Sequence, residues 1–255
     1  MNLFFAIVIG FVAGWLINYL SDVLPTLRRL TRPVCSECGA AFSWQDYFLI
    51  QTCRQCKHAR SWRVLIVLFA TVIVSTLLSI NSPVQLGYGL SLLMLTYFGV
   101  VLVIDLEHRL ILHMVSLVGA CIGLIAGIVS HGLVSTLVGG LAGLLIMLIF
   151  YLFGMLFARY RARRLGVEDD EEALGFGDVI LSTIIGLMLG WPQITKALIL
   201  AILAGGLFSL GIIVVLSATR RFQSMNVFIA YGPYLVFGAI LLIFFPQVAA
   251  FLTGN

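Results

Sequence analysis

Residues 84–104 read VQLGYGLSLLMLTYFGVVLVI, 21 positions without a charge, and Asp105-Leu106-Glu107-His108-Arg109 follows at once. A helix rises about 1.5 Å per residue, so about 20 apolar residues cross a hydrocarbon core of about 30 Å. The pattern recurs along the chain. Residues 3–20, 64–80, 114–130, 133–158 and 197–218 are uncharged apolar runs, and so is 227–252, interrupted by Pro233 and Pro246. One run is short: residues 179–191 end at Pro192. It can span only if 175–178 also lie at membrane depth or the bilayer thins locally. The expected fold is therefore all-α, a polytopic membrane bundle of about eight transmembrane helices.

Composition agrees. The 255 residues are 61% hydrophobic and 10% charged, whereas a soluble domain carries about 25% charged residues. Too little polar surface remains to coat a water-soluble globule. The net charge of +4 does not point to nucleic acid, because its distribution has another cause. If residues 21–63, 105–113, 159–178 and 219–226 face the cytoplasm, 14 of the 15 cations lie there and only Lys196 falls opposite. That is the positive-inside pattern. It places the N-terminus outside, and residues 1–20, without a basic start or a small-residue cleavage site, read as a retained helix. The acidic run 168–172 reads as a solvated stretch of a polar loop that begins at Arg159.

The chain divides by composition into a first transmembrane helix (1–24), a cytoplasmic insert (25–62) and a membrane bundle (63–255). The insert carries Cys35-xx-Cys38 and Cys53-xx-Cys56. A two-residue gap lets two thiolates turn toward one point, and two such turns complete a tetrahedral four-cysteine zinc site. A reducing cytoplasm disfavours disulfides, and so short a segment needs a staple. The expectation is a zinc-ribbon-like insert with structural zinc; four cysteines leave no open position for catalysis. Gly39 suits the turn after the first pair. Cys121, alone in a hydrophobic run, reads as a packing residue, and the many glycines within the runs as helix-packing positions.

Two acids border hydrophobic runs. Asp105 ends one, and Asp178 begins the short one after Gly175-Phe176-Gly177. A carboxylate in such a place faces protein or a watery cavity. By the topology above both lie at the cytoplasmic ends of their helices and could meet. Two carboxylates in contact share a proton, and such a pair can activate water on a peptide carbonyl and protonate the leaving nitrogen. Gly175 and Gly177 would let a substrate backbone approach. Interfacial acids that cap a helix or pair with arginine are equally physical, and spacing does not separate the two readings. Glu107 competes with Asp105 and reads as solvated.

Gly175-Phe176-Gly177-Asp178 resembles the GxGD signature of membrane aspartyl peptidases. Gly186-Leu187-Met188-Leu189-Gly190-Trp191, Ile104-Asp105-Leu106-Glu107-His108, Tyr231-Gly232-Pro233-Tyr234 and the paired Cys-xx-Cys insert follow the order found in bacterial type IV prepilin peptidases. The resemblance implies an eight-helix enzyme of the bacterial inner membrane. It would cut prepilins or pseudopilins on the cytoplasmic side, with Asp105 and Asp178 as the catalytic pair. Bifunctional members also N-methylate the new N-terminus with S-adenosylmethionine. Three places differ from the family pattern. Leu112-His113 stands where a proline and Asp or Asn are usual, Ile180 where lysine is common, and Arg60-Ser61-Trp62-Arg63-Val64-Leu65 replaces an Arg-Tyr-Pro-x-x-Glu stretch. The last departure bears on methylation more than on cleavage. Other readings are a GxGD protease of a different branch and a catalytically inactive membrane scaffold of a pilus or secretion system. A proton-coupled transporter would need acids near the bilayer midplane.

Overall fold

The computed structural model describes residues 2–83, 85–165, 175–218, 231–245 and 247. Among these there are nine α-helices and no named strand: α1 (Leu3–Leu27), α2 (Trp44–Phe48), α3 (Arg63–Ile80), α4 (Gly87–His108), α5 (His113–His131), α6 (Leu133–Leu165), α7 (Phe176–Leu189), α8 (Gln193–Ala218) and α9 (Gly232–Phe244). Six of them (α1, α3, α4, α5, α6 and α8) are long and apolar enough to cross a membrane, and α7 and α9 are shorter apolar helices. The protein is an all-α, multi-pass membrane bundle. The acidic run 168–172, Arg220, Arg221 and Pro246 lie outside the described residues.

The chain forms two compact units, Met1–Leu112 and His113–Asn255. In the first, α1 packs along α3 and α4. Lipid gives apolar helices no reason to associate, so close contact and interhelical hydrogen bonds must hold them. Gly10 supplies the contact: a Cβ there would come within 2.7 Å of the Ser75 Cβ on α3. Ser75 donates to the Ala6 carbonyl (2.6 Å) and lies 2.7 Å from the Tyr88 hydroxyl. Asn18 donates to the carbonyls of Gly14 and Val64. α1 also continues past Pro25 and closes at Arg28, whose N–H reaches the Leu24 carbonyl.

In the second unit the short α7 is the hub, packed against α5, α6, α8 and α9. At about 21 Å it falls short of a hydrocarbon core, but nine of its residues are buried. Protein rather than lipid therefore surrounds most of it. Gly139 and Gly186 bring the backbones of α6 and α7 together, each leaving no room for a Cβ on the other. One turn away Ser182 donates to the Gly143 carbonyl at 3.0 Å. α9 starts with Pro233 in its first turn, where a missing N–H costs nothing.

The stretch from Arg159, expected as the start of a polar loop, is helical as far as Leu165, because 159–164 contains helix formers and neither Gly nor Pro. Arg163 and Arg164 also suit the negative helix end, and Arg164 stacks over the Tyr160 ring. Cys121 is exposed on α5 rather than packed inside; on a membrane helix an exposed thiol acts as a small hydrophobe.

These contacts set a measurable contrast. Gly186→Ala should destabilise the second unit by about 1–3 kcal/mol, the usual cost of overpacking. Gly206→Ala, where a Cβ meets nothing within 4 Å, should leave the thermal unfolding midpoint in detergent unchanged or slightly raised.

Candidate functional site

Asp105 sits in the last turn of α4 and is 5% exposed. Its carbonyl accepts the N–H of Arg109, which closes the helix in the left-handed conformation at φ 52°. Asp178 occupies the first turn of α7 and is 8% exposed. Its N–H donates to Gly175 at 3.0 Å, and a carboxylate there is favoured by the positive helix end. Each aspartate is thus held in a helical turn of its own unit, Asp105 in the first and Asp178 in the second. Gly175 is exposed and extended, and a Cβ on it would meet nothing nearer than Asp178 Oδ2 at 3.8 Å. Internal packing does not require glycine at that position. Gly177 is half-buried within α7. Tyr231, from the Tyr-Gly-Pro-Tyr stretch, stands at the start of α9, which packs against α7.

The four insert cysteines do converge. The sulfurs of Cys35, Cys38, Cys53 and Cys56 all lie within 4.8 Å of one another. Cys35–Cys56 and Cys38–Cys53 are each 3.6 Å apart, close to the edge of about 3.8 Å that Zn–S bonds of about 2.3 Å give a tetrahedron. No disulfide joins them. The donor set therefore fits a metal such as zinc. The two knuckles are built alike. Cys35 N–H reaches the Ala40 carbonyl and Cys35 O accepts Gly39 N–H; Cys53 repeats both bonds with His58 and Lys57. The residue after each pair must be left-handed, with φ 70° at Gly39 and 57° at Lys57. Backbone N–H groups of Cys56 and Gln55 lower the Cys53 thiol pKa to about 6, whereas Cys56, against the pull of the His58 backbone, is raised by burial and the neighbouring thiols to about 12.

A charged cluster that sequence reasoning missed binds the insert to the helices of the first unit. The Asp22 carboxylate, near the end of α1, accepts from the Tyr47 hydroxyl (2.6 Å), Arg60 Nη2 (2.8 Å) and Arg63 Nη2. Arg60 also lies 3.9 Å over the Tyr47 ring and donates to the Tyr47 carbonyl. Arg63, at the start of α3, continues to Glu107 on α4. Glu107, read as solvated, is therefore ion-paired. Burial and the Asp22 charge push the Tyr47 hydroxyl pKa up, so it stays a donor. The only sequence signal was an acid shortly after an apolar run; the arginines that meet it lie about 40 positions away.

Residues 90–210 match the model of the type IV leader peptidase family. The matched segment is just under half of the chain and contains both Asp105 and Asp178. No curated protein and no solved structure matches the chain.

Two stability outcomes follow from this geometry. Asp22→Asn leaves the buried Arg60 guanidinium without its anion and Arg63 with Glu107 alone and should cost about 3 kcal/mol, while Glu107→Gln, at a 39% exposed carboxylate, should cost under about 1 kcal/mol. Lys57→Gly should relieve a left-handed non-glycine and stabilise the insert by about 1 kcal/mol. Denaturation of the purified protein under reducing conditions measures both.

Proposed function

We propose, from the match of residues 90–210 to the type IV leader peptidase family, that this chain is an aspartyl endopeptidase of the bacterial inner membrane. It removes leader peptides from prepilin-like or pseudopilin substrates at the cytoplasmic face. Asp105 and Asp178 are its catalytic pair. The observation that carries this reading is that both are buried carboxylates in helical turns and both lie inside the matched segment. Buried acids in a membrane helix are costly, and a catalytic task accounts for their presence.

In this mechanism one carboxylate takes the proton of a water as the water attacks the scissile carbonyl. The other, protonated, donates to the developing oxyanion; the leaving nitrogen is protonated as the tetrahedral adduct collapses. The exposed, uncrowded Gly175 lets the extended substrate backbone lie against the start of α7. The four cysteines hold structural zinc, which when bound staples the insert. The N-terminus lies outside and the basic segments inside, as the positive-inside distribution supports.

The test is co-expression with a prepilin-like substrate and mass measurement of its N-terminus. Wild type should yield the shortened chain, and Asp105→Asn and Asp178→Asn should each leave the leader uncut. Cleavage persisting in either variant rules out the paired-aspartate mechanism. The same mass reports whether S-adenosylmethionine-dependent methylation accompanies cleavage. For the metal, reduced wild-type protein should carry one zinc, and Cys35→Ser with Cys53→Ser should carry none.

A further inference from the structure

The insert exposes two unlike groups of residues. Around the knuckles Glu37, Arg54 and Lys57 are exposed. At α2, Trp44 (43%), Phe48 (47%) and Leu49 (68%) are exposed. Asp46 and Tyr47, between them in sequence, are buried. Trp44 and Phe48 are one helical turn apart and stacked, with ring centroids 5.9 Å apart at 20°.

The position of α2 along α1 decides what this face meets. The Phe48 ring lies 5.1 Å from Trp15, and the Trp44 ring 5.7 Å from Tyr19. Trp15 precedes Asp22, the first charge on α1, by seven residues, or about 10 Å of helix. α2 therefore lies beside the last apolar turns of a membrane span, not beyond its charged end. The aromatic series is continuous: Trp15 also contacts Phe11 at 6.2 Å, and Phe11, Val12 and Leu16 are exposed on the lipid-crossing part of α1. Just past the helix, Arg28, Arg29 and Arg32 are exposed.

We infer that the Trp44–Phe48–Leu49 face of α2 is seated in the interfacial layer of the bilayer that α1 crosses, extending the lipid-facing surface of α1. Indole and phenyl rings favour that depth, where an apolar body meets hydrocarbon and a polar edge meets headgroups. The three arginines then lie where anionic lipid phosphates stand, each contributing electrostatic attraction. The insert is then a surface-bound body held to the bilayer through its aromatic face. This inference needs only the membrane bundle; peptidase chemistry does not enter it.

The experiment uses the full chain in phosphatidylcholine–phosphatidylglycerol vesicles. A variant retaining Trp44 alone (Trp15→Phe, Trp62→Phe, Trp191→Phe) should show blue-shifted emission. It should lose most of its intensity to lipids brominated near the headgroup, and little to aqueous iodide. Red-shifted emission quenched by iodide and untouched by bromolipid overturns the proposal. Wild-type protein in the same vesicles gives a second reading that does not depend on the variant folding. A lipid carrying a photoactivated carbene precursor near the headgroup should label the Trp44–Leu49 peptide; labelling confined to the spanning helices overturns the proposal.

Discussion

Among the described residues, helices of this protein approach closely where a glycine leaves no room for a side chain, and several of these places set glycine against glycine or against serine. Gly139 against Gly186 and Gly143 against Ser182 join α6 to α7, and Gly10 against Ser75 joins α1 to α3. This constraint comes first because a bilayer does not drive apolar helices together. Water would bury leucine for its own sake; lipid does not. What remains is dispersion over closely matched surfaces and hydrogen bonds from Ser75, Ser182 and Asn18 to carbonyls of the neighbouring helix. The position of Asp178 inherits this packing, since α7 is fixed chiefly by its glycine contacts with α6 and its burial against α5 and α9.

A different physics operates at the polar end of the first unit. There Tyr47, Arg60, Asp22, Arg63 and Glu107 form one connected set of short-range electrostatic contacts. Asp22 is its centre because a single carboxylate can accept several donors, and three residues supply them. Each guanidinium is largely removed from water, so its charge has to be matched inside the protein. Through Arg63 and Glu107 the set extends to the same turn of α4 that carries Asp105. The insert, the start of α3 and the end of α4 are thus held by one group of atoms.

Much of this was legible in sequence, for reasons that differ from element to element. Charge-free runs marked the helices because length and composition alone decide whether a segment can cross lipid. The cysteine pairs marked the four-sulfur cluster because two residues is the gap that lets a turn present two sulfurs. Asp105 and Asp178 stood out as acids beside apolar runs. Other features required three dimensions. Lys57 has the same left-handed backbone as Gly39, yet nothing in its side chain announces it. The clamp on Asp22 depends on pairings 38 and 41 positions apart, which no local pattern encodes. The continuation of α6 through its arginines was hidden by the assumption that charge ends a helix, when charge ends only the part in lipid.

Tyr47 has a consequence for how this chain could be taken apart. Its ring shares one core with Trp15 of α1 and with Val64 and Leu68 of α3, and its hydroxyl bonds Asp22 of α1. A fragment spanning 25–62 would keep its sulfur cage but lose most of the partners of its central aromatic residue. The insert is not a cassette that can be lifted from one membrane protein and set into another. Its fold is completed by the helices that flank it, so a graft would have to carry the matching faces of α1 and α3 as well.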